Sequence, residues 1–221
     1  RAHKQPDNSS NLCHLWNQHE GTVLTAGEYP IMRMWDVDHG IAVQDIPTGT
    51  QSCITSMAHE SPAGPIVVAG DADGIIRVFD CRINSRSSLV KTYEEHKRAI
   101  INVEMMYNSV KVVSGSVGGD VRFFDLRSND SIFMVQAHSR SEMASLAVHK
   151  HASIIATGTQ NQTIKITNHG GQRLNDIKYY SKYLGQRIGA VSCLQFHPHE
   201  PFLVAGNTDG VVAVYQSSAI Q

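Results

Sequence analysis

The stretch from Ile66 to Asp80 reads Ile-Val-Val-Ala-Gly-Asp-Ala-Asp-Gly-Ile-Ile-Arg-Val-Phe-Asp, and it predicts a β-hairpin. Two runs of strand-forming residues flank Asp73-Gly74. This dipeptide favours a type I′ turn, because such a turn needs positive φ at both of its central positions. Apolar residues occupy both alternating sets of positions, so each strand is expected to be buried on both faces.

The hairpin is one copy of a repeat. Each copy contains a glycine that follows a run of small or apolar residues, and we call it the anchor glycine. The anchors are separated by 43, 45, 43 and 48 residues, and an aromatic residue follows most of them after nine positions. In the first copy the aromatic residue comes one position early, which predicts a hairpin turn shorter by one residue. The anchors are Gly27, Gly70, Gly115, Gly158 and Gly206, and the aromatic residues are Trp35, Phe79, Phe124 and Tyr215. A period of roughly 40 to 45 residues with one hairpin per unit is typical of an all-β, WD-repeat β-propeller.

The repeat predicts about five blades after a polar segment, residues 1–11, that is expected to be a loop or a ragged end. The predicted blades cover about residues 12–49, 50–97, 98–138, 139–186 and 187–221. Three strands are predicted in the last blade, which lacks an outer one. Because an open ring exposes sheet edges, we expect further sequence upstream to complete a seven-bladed ring. A self-contained five-bladed ring is the alternative.

Composition narrows the possible partners. The chain has 19 basic and 20 acidic residues, which does not favour a nucleic-acid or anionic membrane surface. No apolar run approaches membrane-spanning length, so direct membrane insertion is not expected. The cysteines lack metal-type spacing, which favours reduced thiols in an intracellular protein. They are Cys13, Cys53, Cys81 and Cys193.

Three stretches resemble one family more closely than they resemble generic WD repeats. They are Val43 to Gly49, Leu146 to His151, and the block from Ile177 to His199 with Gly185-Gln186-Arg187-Ile188-Gly189-Ala190 inside it. They resemble the C-terminal propeller of the Raptor family, the regulatory-associated scaffold subunits of TOR complex 1. The resemblance covers about Leu12 to Tyr215, and residues 1–11 depart from it.

The resemblance implies a seven-bladed propeller preceded by caspase-like and helical-repeat domains. It implies that the partners are subunits of the TOR kinase complex and the remaining domains of the same chain. The implied function is to help present substrates to the TOR kinase in nutrient and growth signalling. The implied location is the cytoplasm, with recruitment to the lysosomal surface.

No constellation of residues predicts catalysis, a metal site or a cofactor site. The glycine-rich stretch from Ser114 to Gly119 precedes a strand, whereas a phosphate-binding loop opens a helix, so a hairpin turn is the better interpretation. The pairs His149/His151 and His197/His199 follow predicted strands, and no cysteine or carboxylate completes a tetrahedral set. They are expected to be structural or loop histidines. We therefore predict that the chain is not an enzyme.

Two sets of residues are candidates for partner binding. The insert from Lys178 to Arg187 contains tyrosine and arginine, which are enriched in interface hot spots, although these side chains could instead pack between blades. Phe79-Asp80-Cys81-Arg82 and Phe124-Asp125-Leu126-Arg127 resemble the Trp-Asp-x-Arg box of substrate receptors in cullin-RING ubiquitin ligases, the alternative function. The candidates are Tyr179, Tyr180, Tyr183, Arg187, Arg82 and Arg127.

Two further repeat positions are expected to be structural. Cations recur seven residues after the anchor glycine, and a position refilled in each blade is more typical of architecture than of a binding site. They are Arg77, Arg122 and Lys165, and Arg33 matches if the first turn is shorter by one residue. In WD repeats a histidine before the first strand bonds onward to a turn aspartate and a tryptophan. Because the turns after His96 and His138 lack that aspartate, we expect a degraded network.

Overall fold

The structure, a computed structural model, describes residues 12–59, 64–106, 110–178 and 189–216. These residues form five antiparallel sheets, and no α-helix occurs among them. The predicted all-β, WD-repeat propeller class is confirmed. The chain divides into two compact units, Arg1–Val103 and Glu104–Gln221.

Four sheets have four strands, and within each sheet neighbouring strands follow one another in sequence. The first sheet contains β1 (Leu12–Asn17), β2 (Thr22–Gly27), β3 (Ile31–Asp36) and β4 (Ile41–Pro47). The second contains β5 (Ile54–His59), β6 (Ile66–Asp71), β7 (Ile76–Asp80) and β8 (Leu89–Tyr93), with a 3-10 turn at Ser85–Ser87. The third contains β9 (Ile100–Met105), β10 (Lys111–Ser116), β11 (Asp120–Asp125) and β12 (Ser131–Gln136).

The remaining two sheets belong to the second unit. The fourth sheet contains β13 (Met143–Val148), β14 (Ile154–Thr159), β15 (Thr163–Asn168) and β16 (Arg173–Lys178). The fifth contains β17 (Val191–Phe196), β18 (Phe202–Asn207) and β19 (Val212–Gln216). Within the described residues this fifth sheet has three strands.

The strand pairing corrects the predicted anchor of the first repeat. In the second sheet Ala69 pairs with Arg77, and Gly70 pairs with Ile76. In the first sheet the equivalent pair is Thr25 with Arg33, so Ala26 takes the place of the anchor glycine and Gly27 lies one position beyond it. The prediction of a shorter first turn was therefore wrong, because Trp35 stands nine residues after Ala26, the spacing found in the other copies.

Anchor glycines allow neighbouring sheets to pack closely. A Cβ atom built on Gly158 would lie 2.6 Å from Cγ1 of Val191 and 3.1 Å from Cδ1 of Leu194, both on β17. Because real Cβ atoms are not found so close to other carbon atoms, a side chain at this position would force the two sheets apart. At the first anchor the methyl group of Ala26 is instead buried in a core cluster with Leu24 and Ile54.

Each of the four four-stranded sheets has a β-bulge where its third strand meets its outer strand. The pairing shifts by one residue at Met34/Trp35, Val78/Phe79, Phe123/Phe124 and Ile166/Thr167. The extra residue on the outer strand is apolar and exposed in every case. These residues are Val43, Val90, Ile132 and Leu174.

Candidate interaction surface

The predicted tyrosine and arginine insert cannot be placed. Tyr179, Tyr180, Tyr183 and Arg187 lie outside the described residues. Their role in partner binding stays a prediction.

Arg82 and Arg127 lie on the surface just beyond the third strands of their sheets. Their side chains are largely exposed, and each pairs with the aspartate two residues before it. The Arg82 guanidinium donates to Asp80 Oδ2 at 2.7 Å, and this hydrogen bond lowers the pKa of that carboxyl. Arg127 Nε lies 3.5 Å from Asp125 Oδ1. Both side chains are therefore held by their own turns and face solvent.

The recurring cations bind groups close to their own strands. Arg77 forms a buried ion pair with Asp71, whose other oxygen accepts two turn N–H groups. Arg33 makes a bidentate pair with Asp45 on the adjacent strand, at 2.5 and 2.7 Å. Lys165 Nζ donates to the carbonyl oxygen of Ala137 at 2.5 Å. The Arg77 pair supports an architectural role, because a buried charge is stable only when it is paired. The other two contacts hold Arg33 and Lys165 against neighbouring backbone or side chains.

Parts of the WD hydrogen-bond network survive in different sheets. Trp35 Nε1 donates to Thr25 Oγ1 at 3.0 Å in the first sheet. In the fourth, His138 Nε2 lies 2.9 Å from Thr157 Oγ1, although Thr167 replaces the aromatic residue. Burial and the neighbouring Lys165 charge lower the pKa of His138 to about 4. His138 is therefore neutral at physiological pH.

Two turns of the second unit are rich in histidine. The first follows β13 and carries His149 and His151, and the second follows β17 and carries His197 and His199. The rings of His151 and His199 stack with centroids 5.3 Å apart. Nearly parallel rings do not direct their nitrogen lone pairs at one point, and the described residues contain no cluster of three or more candidate metal ligands.

An apolar groove lies beside these turns, between the fourth and fifth sheets. Its volume is about 390 Å³. The lining includes Ile166 and Ile177 from the fourth sheet, and Phe196 and Tyr215 from the fifth. In the first unit, a space lies between the first and second sheets and is lined in part by Val67. Its volume is only about 20 Å³. Sequence reasoning did not predict the groove, because it depends on how two sheets meet.

The described cysteines are free thiols. Burial raises the pKa of Cys13 to about 11, with a further contribution from nearby Cys53, and burial also raises that of Cys81 to about 11. Because the thiolate is the reactive form, these side chains are poor nucleophiles. No helix in the described ranges is long and apolar enough to cross a membrane.

The five antiparallel sheets and their WD-type hairpins define a WD-repeat propeller. The chain belongs to the β-propeller family described as "Nucleolar protein 10-like, N-terminal domain", whose model matches residues 11–179. The model described as "WD domain, G-beta repeat" matches residues 180–216.

The more specific similarity is to Raptor proteins, and the predicted resemblance is confirmed. The chain is 41% identical to a Dictyostelium discoideum protein named "Protein raptor homolog", over 92% of this chain and 14% of that protein. It is 36% identical to the Schizosaccharomyces pombe "Target of rapamycin complex 1 subunit mip1", over 95% of this chain and 16% of that protein. The chain thus spans about a sixth or less of the length of these relatives.

A solved structure supports the same similarity. The crystal structure of Chaetomium thermophilum Raptor matches with a TM-score of 0.86 and 27% identity. The match covers 96% of this chain and 20% of that one.

Proposed function

We propose that this chain is a non-catalytic interaction propeller of a Raptor-like subunit of TOR complex 1. The observation that carries the proposal is the similarity to Raptor-type proteins along nearly the whole chain, including one that is named as a subunit of that complex. The contacts made by the recurring cations are consistent with a rigid scaffold. In this function the propeller contributes to presenting substrates to the TOR kinase in nutrient and growth signalling.

The partners in this proposal are the other subunits of the kinase complex and the remaining domains of the same protein. The relatives do not favour the alternative of a ubiquitin-ligase substrate receptor. A cytoplasmic location with recruitment to the lysosomal surface remains a prediction.

The test compares full-length protein with a form that lacks residues 12–216, both expressed in cells and recovered by affinity purification. We expect the shortened form to recover less TOR kinase. The remaining domains must resist limited proteolysis equally in both forms, so that misfolding does not explain the loss. Equal recovery of kinase and substrates by both forms would contradict the proposal.

A single substitution tests where the partner binds. In the full-length protein, Tyr180→Ala should reduce kinase recovery without lowering the melting temperature if the insert is a binding surface. Tyr29→Ala is the matched control, because Tyr29 is a partly exposed tyrosine at another turn. A parallel loss of recovery and stability would instead indicate that Tyr180 packs between blades.

A further inference from the structure

The apolar groove between the fourth and fifth sheets lies where the described chain leaves the fifth sheet. Tyr215 and Gln216, the last residues of β19, line one side of it. Leu174 and Asn175 on the outer strand β16 line the other side. Because the sequence continues from Gln216 to Gln221, the segment after β19 starts at the groove.

The second sheet shows where such a segment can lie. Its third strand β7 is followed by the 3-10 turn at Ser85–Ser87, and Gln44 on β4 donates its side-chain amide to Ser85 Oγ at 3.1 Å. The turn therefore contacts the outer strand of the preceding sheet. Ser85 stands six residues after Phe79, the aromatic residue of its repeat.

The fourth sheet repeats the arrangement with a shorter turn. A Cβ atom built on Gly171, between β15 and β16, would lie 2.6 Å from Cγ2 of Val135 and 3.4 Å from Cε2 of Phe133. Both neighbours belong to β12, the outer strand of the third sheet. Gly171 stands four residues after Thr167, which takes the aromatic position. In both sheets the turn after the third strand thus packs on the preceding outer strand.

Little space remains where this turn is present. Met34 lines the space between the first and second sheets, at the position that Ile166 takes in the groove. Cys81, two residues after Phe79, lines that space as well. The volume there is about 20 Å³, compared with about 390 Å³ for the groove.

The outer-strand residues beneath these turns are less exposed than their equivalents on β16. Gln44 and Phe133 each pair with the residue before the bulge in their sheet, and both are half-buried. Asn175 has the same pairing and is exposed. Likewise Ile46 on β4 is fully buried, whereas the equivalent Ile177 is half-buried. Within the described residues, the outer strand of the fourth sheet thus lacks the cover that the others have.

We propose that the groove is the docking site of the protein's own segment after β19, which lies outside the described residues. In the second and fourth sheets the contact comes four to six residues after the aromatic position. Counted from Tyr215, this spacing brings residues 219–221 to Asn175. Ala219 and Ile220 fall in this range, and their burial in an apolar groove removes apolar surface from water on both sides of the contact. The docking is independent of the kinase partners in the proposed function.

The test is hydroxyl-radical footprinting of the full-length protein on its own, with Ile220→Asp as the variant. A carboxylate is costly to bury without a partner, so this change should release the segment and raise the labelling of Ile177 and Tyr215. Ser218→Asp is the matched control, because the equivalent Arg82 in the second sheet is largely exposed. It adds the same charge and should leave the labelling unchanged.

A disulfide cross-link identifies the occupant of the groove directly. Asn175→Cys with Ile220→Cys should link on mild oxidation, as should the control pair Gln44→Cys with Ser85→Cys, whose natural residues are in contact. Mixing isotopically labelled and unlabelled protein separates links within one chain from links between two copies.

Links within one chain support the proposal. It is overturned if the Asn175 pair stays unlinked while the Gln44 pair links, or if the groove links only between copies, which would assign it to a second copy. Protection of Tyr215 that requires another protein would assign it to a partner instead. The natural sequence decides the question even if the variants do not fold, because Ile177 must then be labelled as weakly as the buried Ile46.

Discussion

Gln162 has a φ of 60°, and it is the one residue other than glycine with positive φ among the described residues. It occupies the turn position that Gly74, Gly119 and Gly210 fill in other sheets. Because a side chain is strained in the left-handed region, Gln162→Gly should raise the free energy of unfolding by about 1 kcal/mol. Chemical denaturation of the two proteins measures the difference.

The matched control for this prediction is the reverse change, Gly119→Ala. A Cβ atom at this position would overlap the carbonyl oxygen of His138 as well as adopt positive φ. The control should therefore be clearly destabilised. A Gln162→Gly protein that is less stable than the natural sequence would mean that the glutamine side chain makes a compensating contribution.

The low pKa of His138 predicts how the stability of the protein changes with pH. Its folded-state pKa of about 4 lies below the ordinary value of about 6.5, so the unfolded chain binds a proton that the folded chain does not. The contribution of His138 to stability is complete above about pH 6.5 and is lost as the pH falls toward about 4. His138→Gln should reduce the acid-induced fall in melting temperature between these values.

The exposed His39 supplies the control for that measurement. His39→Gln removes a histidine whose side chain is mostly exposed and pairs with Asp36. Its effect on the acid-induced fall should be much smaller. Equal effects of the two substitutions would contradict the assignment to His138.

At the scale of elements, the contact between Gly158 and β17 makes a prediction about sheet packing. Gly158→Ala should destabilise the second unit, because the new methyl group meets Cγ1 of Val191. Val191→Ala removes that atom and creates space, so the double variant should be more stable than the sum of the single changes predicts. Thermal unfolding of the four proteins gives the coupling, and strict additivity would contradict this account.

The strands could be predicted from sequence because they depend on local signals. The recurring anchors at Gly70 and Gly158 placed the second and third strands of most sheets. A hairpin forms at Asp73-Gly74 as predicted, but the predicted type I′ turn was wrong, because Gly74 has positive φ and Asp73 does not. The true anchor of the first repeat, Ala26, could not be recognised from sequence, because the repeat was traced by its glycines. Alanine is tolerated at this position because its methyl group fits into the core cluster with Leu24 and Ile54. A neighbouring glycine then gave a false match.

Candidate sites were harder to predict than strands. The positions of His149 and His197 after their strands were visible in the sequence. In the structure, Nδ1 of each ring accepts backbone N–H groups of its own turn, and Nε2 of His149 lies 3.2 Å from the carbonyl oxygen of Glu200 on another sheet. These contacts depend on turn geometry and sheet packing. The outer-strand bulges were also missed, because an extra residue is visible only against its pairing partner.

At the scale of the whole molecule, equivalent positions differ in exposure at the first and fifth sheets. Trp16 is 45% exposed, whereas Phe196, at the equivalent position, is 5% exposed. Val212 is 67% exposed, whereas the equivalent Ile164 is 3% exposed. In the second unit an adjoining sheet covers Phe196 and Ile164. We expect further propeller sheets to cover Trp16 and Val212 in the longer protein.

Covalent footprinting by mass spectrometry tests this expectation. Labelling of Trp16 and Val212 should be strong in a chain of residues 12–216 and much weaker in the full-length protein. Ile41 on the outer strand β4 is the control, since its labelling should stay high in both. Unchanged labelling of Trp16 and Val212 in the full-length protein would contradict the prediction.

The extra residue in the outer strands of the four-stranded sheets also affects self-association. A strand from another copy can extend a sheet only where the edge offers an even row of backbone donors and acceptors. The displaced residue, such as Val90 or Ile132, interrupts that row, so these edges are poor templates for fibril growth. No such shift interrupts the pairing of β19 with β18. If the chain ever polymerises, we expect templated growth to begin at β19.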